Sequence, residues 1–375
     1  MKIAIIAGTR PEVVKLVPVY AALAARAGTT PIWISTEQQV NLNAQALETF
    51  GIVPDIRLEP PSPDRTLGGR FAQVMDRLDQ VLGELSPDLV LVQGDTSTTA
   101  AGAMAAFARR IPIGHVEAGL RTFNLDSPFP EEGWRCVVGQ LAAFHFAPTE
   151  AAARVLLDLG MAEHRIHMTG NTSVDAIRLS GARVQPEARV PGLRRVVVTV
   201  HRRENWGPEL EQILAALIAL RGRVSDIEIV FVAHANPALR GRVEAALAGQ
   251  ARIRISEPLD YLSFLSLLKS ATLALSDSGG LQEEAPVLGL PLLVLRDTTE
   301  RPEAVEAGVA AMVGVDTGAI VETAAILLTD EALRLKMVRG VSPFGDGYAA
   351  DRIVDIICAW HPDMATGGDR ILAAV

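Results

Sequence analysis

Three carboxylates stand where chemistry is easiest to build in an α/β chain, at or just beyond short apolar runs. Asp95 follows Asp88–Val92, Glu117 follows Ile113–Val116, and Glu131 opens a helical pattern that runs to Leu141. Ligands of open α/β sheets bind beyond the carboxyl ends of strands, so these side chains share one edge. One such carboxylate alone is more often a helix cap or an ion-pair partner. Three on one edge favour acid–base chemistry. The second half carries a different chemistry. Ser278, Gly279 and Gly280 separate an apolar run, Leu273–Leu275, from a helical stretch, Leu281–Leu288. Missing side chains let an anion reach the free N–H groups and the positive end of the helix dipole, and Ser278 adds a hydroxyl. Glu283 and Glu284 lie one turn in, where a carboxylate can take ribose hydroxyls. The competing use is a plain turn whose glutamates complement the dipole. His201 and His234 end two further strands on the same edge and suit phosphate. Arg10 and Lys15 stand near the start of the first helix.

The elements that must position these residues follow from periodicity and punctuation. Strand Lys2–Ala7 leads through Gly8-Thr9-Arg10-Pro11 into helix Val13–Arg26, with Pro11 suited to a first helical position. Ile32–Ser35 is a strand, Asn43–Phe50 part of a helix, and Pro54–Asp64, with four prolines, a surface loop. Helix Phe71–Leu85, strand Asp88–Val92, the small-residue helix Thr98–Arg109 and strands Ile113–Val116 and Phe144–Ala147 complete the first half. The second repeats the scheme: strand Arg195–Val200, helix Pro208–Arg221, strands Glu228–Ala233 and Arg252–Ile255, helix Tyr261–Ser270, then the glycine turn and strand Leu292–Leu295. The fold class is α/β: two Rossmann-like domains with a central cleft, 1–169 and 170–349, linked near Thr169–Val174.

Composition narrows the function. At 375 residues the chain exceeds one ordinary core, and its net charge of −9 without a dense basic run argues against nucleic acid. Two cysteines, Cys136 and Cys358, make neither a disulfide framework nor a metal cluster, which suits a reducing cytoplasm. No apolar stretch is long enough to span a bilayer, and no signal peptide is evident. No GxGxxG follows either leading strand, so no dinucleotide cofactor is expected, and no ligand spacing argues for a metal.

Longer blocks carry a resemblance. They are GTRPEVVKLVPV at 8–19, QGDTSTTAAGAMAAF at 93–107, GHVEAGLRT at 114–122, SPFPEEGWR at 127–135 and APTE at 147–150. GNTSVDA at 170–176, HRRENWG at 201–207, the block 257–308 and SPFGDGYAADRI at 342–353 continue it. Together they resemble the bacterial UDP-N-acetylglucosamine 2-epimerase family over nearly the whole chain. The non-hydrolysing branch is the one matched, because the hydrolysing branch differs around the PEE and TERPEA segments. The resemblance implies a glycosyltransferase-B type fold with UDP-sugar in the cleft. It further implies a C-terminal helix at about 350–362 that returns to the first domain, and a cytoplasmic homodimer. The implied reaction interconverts UDP-GlcNAc and UDP-ManNAc without a redox cofactor. UDP leaves by anti-elimination to give 2-acetamidoglucal and re-adds to the other face.

Carried over, Ser278, Gly279 and Gly280 hold the diphosphate, Glu284 the ribose, and Phe264 lies by the uracil. Arg10, Lys15, Arg135, His201 and Arg301 bind phosphate or stabilise charge, while Asp95, Glu117 and Glu131 supply acid–base catalysis. Which carboxylate takes the C2 proton stays open. There are departures: Glu37–Asn43 replaces a GQHREML-like segment, Gln93 replaces the His of VHGDT, PEEGWR replaces PEEANR, and Gln73 stands where an arginine is expected. The family binds UDP-GlcNAc at a second, regulatory site drawing on that segment and that arginine, so regulation by substrate is expected to be weakened. Three other readings stay in play: a 2-epimerase of a modified sugar of the diacetamido-uronic acid type, a glycosyltransferase of the same fold, and a non-catalytic UDP-sugar sensor.

Overall fold

The computed structural model describes residues 1–360 apart from Ala235, Gly340 and Val341, and leaves aside the side chains of Ala182 and Arg203. It comprises two compact units, Met1–Leu179 with Phe344 onward, and Ser180–Pro343.

The first unit is built on seven parallel strands. They are β1 (Lys2–Ala7), β2 (Thr30–Ser35), β3 (Ile56–Arg57), β4 (Leu89–Gln93), β5 (Ile113–Val116), β6 (Phe144–Ala147) and β7 (Ile166–Met168), in the order β3-β2-β1-β4-β5-β6-β7. Such a sheet is covered on both faces, which is why β1 and β4 are near-continuous apolar runs. Helices Arg10–Ala25 and Ala349–Ala359 pack on one face through Val13, Leu16, Ile353 and Ile357. Helices Leu67–Leu85, Ser97–Ala108 and Glu131–Leu141 cover the other. The small residues of Ser97–Ala108 bring it close: a Cβ on Gly102 would stand 3.0 Å from Val92 and 3.1 Å from Ile6. The stretch expected to be all loop, Pro54–Asp64, contains β3, since Ile56 and Arg57 lie clear of its prolines and pair with Ile34 and Ser35.

The second unit repeats the winding with β8 (Arg194–Thr199), β9 (Ile227–Val232), β10 (Ile253–Ser256), β11 (Leu273–Ser276), β12 (Leu292–Val294) and β13 (Ala310–Met312). Their order is β10-β9-β8-β11-β12-β13. Val196, Val198, Ile229 and Phe231 of the sheet join Ile213, Leu217, Val243 and Leu328 of the flanking helices in one core. In both units the strand order reverses once, between β1 and β4 and between β8 and β11. These switch points are where loops diverge and open a crevice.

Residues 170–179, given by the sequence to the second domain, belong with the first unit, which the chain re-enters at Phe344 and not at 350. The reason is local. Asn171 N donates to Phe344 O at 2.8 Å, and the buried Asp175 carboxylate accepts from Ala349 N at 3.2 Å and Ala350 N at 2.9 Å. Asp175 thereby caps helix Ala349–Ala359, whose first-turn N–H groups have no partners within the helix itself. That helix returns to the first sheet as expected, ending at Ala359; residues 361–362 of its expected span lie outside the described residues.

Candidate active site

The first unit gathers its chemistry at the β1/β4 switch point. Glu12, 1% exposed, accepts from Gly8 N and Thr9 N at 2.8 Å, Thr9 Oγ1 at 3.0 Å, Thr99 Oγ1 at 3.1 Å, and Thr96 Oγ1. One carboxylate thus ties the turn after β1 to the turn after β4. Burial raises its pKa, and these hydrogen bonds oppose the rise. Arg10 emerges half-exposed from the first turn, its backbone N–H 3.5 Å from Gln39 Oε1.

Asp95 and Glu117 follow β4 and β5, and each has its own cation. Arg135 Nε reaches Asp95 Oδ2 at 2.8 Å and Nη2 reaches the same oxygen at 2.6 Å. Lys15, 7% exposed, brings Nζ to 2.7 Å from Glu117 Oε1, and Gln93 Nε2 donates to Glu117 Oε2. Glu117 sits at φ 66°, a left-handed conformation costing on the order of 1–3 kcal/mol outside glycine. Asp95, Glu117, Arg121 and Arg135 line one cavity together with His115. His115 Nε2 lies 2.8 Å from Gly94 O, and burial pushes its pKa down to about 4, so the ring is neutral and Nε2 donates.

Of the adjacent pair at the start of helix Glu131–Leu141, the structure treats the two glutamates differently. Glu131 is half-buried in the first turn and is not among the cavity's lining residues. Glu132 is fully buried, accepting from Arg121 Nε at 2.6 Å, Thr122 N at 3.0 Å, Phe123 N at 3.1 Å and Arg135 Nη1 at 3.2 Å. Burial works to raise its pKa, but these donors and the two guanidinium charges outweigh it and hold the group below the usual carboxylate range. The sequence reading passed over Glu132. The signal available was its i,i+3 spacing to Arg135.

The second unit gathers a different set at the β8/β11 switch point. Asp277, fully buried, accepts from His201 N at 2.8 Å, Arg202 N at 3.0 Å and Asn205 Nδ2 at 2.9 Å. It therefore holds the loop after β8 against the turn after β11, a role the sequence did not reveal. The His201 and His234 rings are 5.8 Å apart. His234 Nδ1 accepts from Asn236 N at 3.0 Å, and burial lowers its pKa, leaving a neutral ring with its proton on Nε2.

Ser278 is the N-cap of helix Gly279–Val287, its hydroxyl oxygen accepting from Leu281 N at 3.4 Å while its proton remains a donor. The two glycines lie inside the first helical turn, so the helix begins two residues before the Leu281 start that the sequence suggested. A Cβ on Gly279 would stand 2.6 Å from Arg301 Nη1, whereas one on Gly280 meets nothing nearer than Ser278 Oγ at 3.9 Å. Arg301 is itself pinned, donating from Nε to the buried Glu283. Beside it Glu300 is buried against Arg296, Arg202 and Arg301, which hold its carboxyl well below the usual range despite the burial. Glu284 is buried one turn in, and Phe264 is half-buried on helix Tyr261–Lys269. The structure thus brings together Asp95, Glu117, Lys15 and Arg135 in one unit, and His201, His234, Ser278, Gly279 and Arg301 in the other. Arg10, Glu131, Phe264 and Glu284 sit on the elements expected for them.

The family model described as UDP-N-acetylglucosamine 2-epimerase matches residues 21–358. UDP-N-acetylglucosamine 2-epimerase of Escherichia coli strain K12 is 42% identical over 369 residues, covering 95% of this chain and 98% of the relative. The solved UDP-GlcNAc 2-epimerase of Neisseria meningitidis, bound to UDP-GlcNAc, superposes with a TM-score of 0.89 at 37% identity, over 96% of this chain and 100% of that one. The Methanocaldococcus jannaschii enzyme, in complex with UDP-GlcNAc and UDP, gives 0.85 at 34% identity over the same shares.

Proposed function

This chain belongs to the UDP-N-acetylglucosamine 2-epimerase family, and from that premise we propose that it inverts C2 of UDP-GlcNAc by eliminating UDP and adding it back. It is an epimerase of glycosyltransferase-B type. The mechanism is our reading. A C2 proton beside no carbonyl is removed only as the C1–O bond to the diphosphate breaks, so base and leaving-group stabilisation must act together. In the second unit, the helix N-terminus at Ser278-Gly279-Gly280, Arg301, His201 and the Nε2–H of His234 receive the diphosphate, Glu284 the ribose and Phe264 the uracil. In the first unit, Asp95, Glu117 and Glu131 exchange protons with the sugar, and Arg10, Lys15 and Arg135 balance the charge.

One observation carries the reading: Asp95 and Glu117 leave adjacent parallel strands into one cavity, each with its own buried cation. A glycosyltransferase or a sensor has no need of that arrangement. The proposal includes a homodimer, checked by light scattering, and a reducing cytoplasmic setting, consistent with two free cysteines. No helix among the described residues is long and apolar enough to cross a membrane.

The test is turnover of UDP-GlcNAc in D2O. Deuterium is expected at C2 of UDP-ManNAc and, at equilibrium, of recovered UDP-GlcNAc. Product retaining the original proton overturns the elimination. Asp95→Asn, Glu117→Gln and Glu131→Gln are each expected to cut turnover by about two orders of magnitude, the lower scale for a lost general acid or base. Near-normal turnover in all three overturns the assignment.

A further inference from the structure

Glu117 is held in an unfavourable backbone conformation at the rim of the cavity, and such residues persist only where their surroundings over-determine them. Lys15 accounts for one carboxylate oxygen. The other is met by Gln93, the last residue of β4, which is 3% exposed and donates from Nε2 to Glu117 Oε2. We propose that Gln93 is a positioning residue that fixes the angle at which the Glu117 carboxylate faces the sugar. The inference rests on the reading of Glu117 as a proton-transfer group.

Gln93 is well placed for this work because it is itself fixed twice. It pairs with Val116 in the β4/β5 ladder, so its side chain needs to reach only one residue along the neighbouring strand. Its backbone carbonyl accepts from Thr99 Oγ1 at 2.6 Å, and that hydroxyl lies 3.1 Å from Glu12 Oε1. The grip on Glu117 is therefore continuous with the network that joins the turns after β1 and β4. The choice of side chain has a chemical consequence. Lys15 supplies charge, while an amide supplies a donor that does not titrate. The donor that Gln93 offers is accordingly the same at every pH, and orientation and charge come to Glu117 from two separate groups.

Two variants test this in the full-length enzyme. Gln93→Leu removes the donor while keeping volume, and kcat is expected to fall about tenfold or more with KM changed by less than about threefold, as for an interaction made at the reacting group. Gln93→Glu is near-isosteric, and the introduced carboxyl donates to Glu117 only while protonated. Its kcat relative to wild type is expected to decline as pH rises through that ionisation, whereas the ratio for Gln93→Leu stays flat. A merely structural role for Gln93 does not produce that pH-dependent rescue. Gln93→Leu with kcat within about twofold of wild type, or a Gln93→Glu ratio independent of pH, overturns the inference. If Gln93→Leu does not fold, the Gln93→Glu profile decides alone. Turnover retained by Glu117→Gln sinks the reading of Glu117 as a proton-transfer group, on which this inference rests. Turnover retained by Gln93→Leu while Glu117→Gln is inactive sinks only the role given to Gln93.

Discussion

Glu131 and Glu132 are neighbours in sequence with opposite expected consequences. Glu132 closes a buried network with Arg121 and Arg135; Arg135 keeps Asp95, but Glu132→Gln leaves the Arg121 guanidinium without its carboxylate and should destabilise the fold by about 3 kcal/mol. Glu131→Gln should lose turnover with its unfolding midpoint nearly unchanged. Thermal unfolding beside kcat separates the two; a large drop in midpoint for Glu131→Gln reverses the assignment. The departures from the family pattern also act at this scale. Gln73, standing where an arginine is expected, accepts at Oε1 from Ser62 N at 3.0 Å, and Gln38, which the segment keeps, accepts at Oε1 from Thr98 N at 3.1 Å and Thr98 Oγ1 at 2.8 Å. Both amide oxygens are taken up internally, and a neutral amide does not replace a guanidinium on a diphosphate. Turnover of UDP-ManNAc alone is therefore expected to be hyperbolic. A lag abolished by trace UDP-GlcNAc would show a working effector site.

At the scale of elements, each switch point is locked by one buried carboxylate, Glu12 in the first unit and Asp277 in the second. Glu12 gathers N–H and O–H donors from the turns after β1 and β4, and Asp277, in the turn after β11, gathers N–H donors from the loop after β8. The helix starting at Gly279 shows how finely such a loop is fitted. Gly279→Ala should force Arg301 off Glu283 and destabilise the free enzyme by about 1–3 kcal/mol, the usual cost of overpacking. Gly280→Ala meets open space, so the free enzyme should be no less stable. On the proposed placement of the diphosphate at this helix N-terminus, UDP affinity should nevertheless drop, because the added methyl would stand in its way. Calorimetry with UDP and thermal unfolding on both variants checks the pair. Unchanged UDP affinity in Gly280→Ala removes the diphosphate from that position.

For the whole molecule, acid is the expected weakness. Burial pushes His115 to about 4, and burial with the charges of His115, Arg165 and His167 pushes His145 to about 3. Both lie below the ordinary histidine value near 6.5, so the unfolded chain takes up protons first. Their contribution to stability is fully present above about pH 6.5 and is lost as pH falls toward 4 and 3, on the order of a few kcal/mol. Neither ring nitrogen of His145 has a hydrogen-bond partner among the described residues. His145→Leu should therefore leave stability at pH 7.5 unchanged or raised, and flatten the loss of unfolding midpoint between pH 6.5 and 4.5. An unaltered slope overturns the assignment.

The sequence by itself determined the elements and the edge on which the chemistry stands. Apolar runs such as Lys2–Ala7, the punctuation at Gly8 and Ser278–Gly280, and the long family blocks are all written within a few residues of where they act. Hence most strands, the α/β class and the family were legible. Tertiary structure decided the partners. Lys15 meets Glu117 across 102 residues, Arg135 meets Asp95 across 40, and Asp277 meets the loop at His201 across 76. The same holds for Glu132 over Glu131, Gln93 on Glu117, and the capping of the last helix by Asp175. A buried charge must be compensated because desolvation is costly, and that requirement is local. Which distant residue compensates it is settled only when the strands take their order in the sheet.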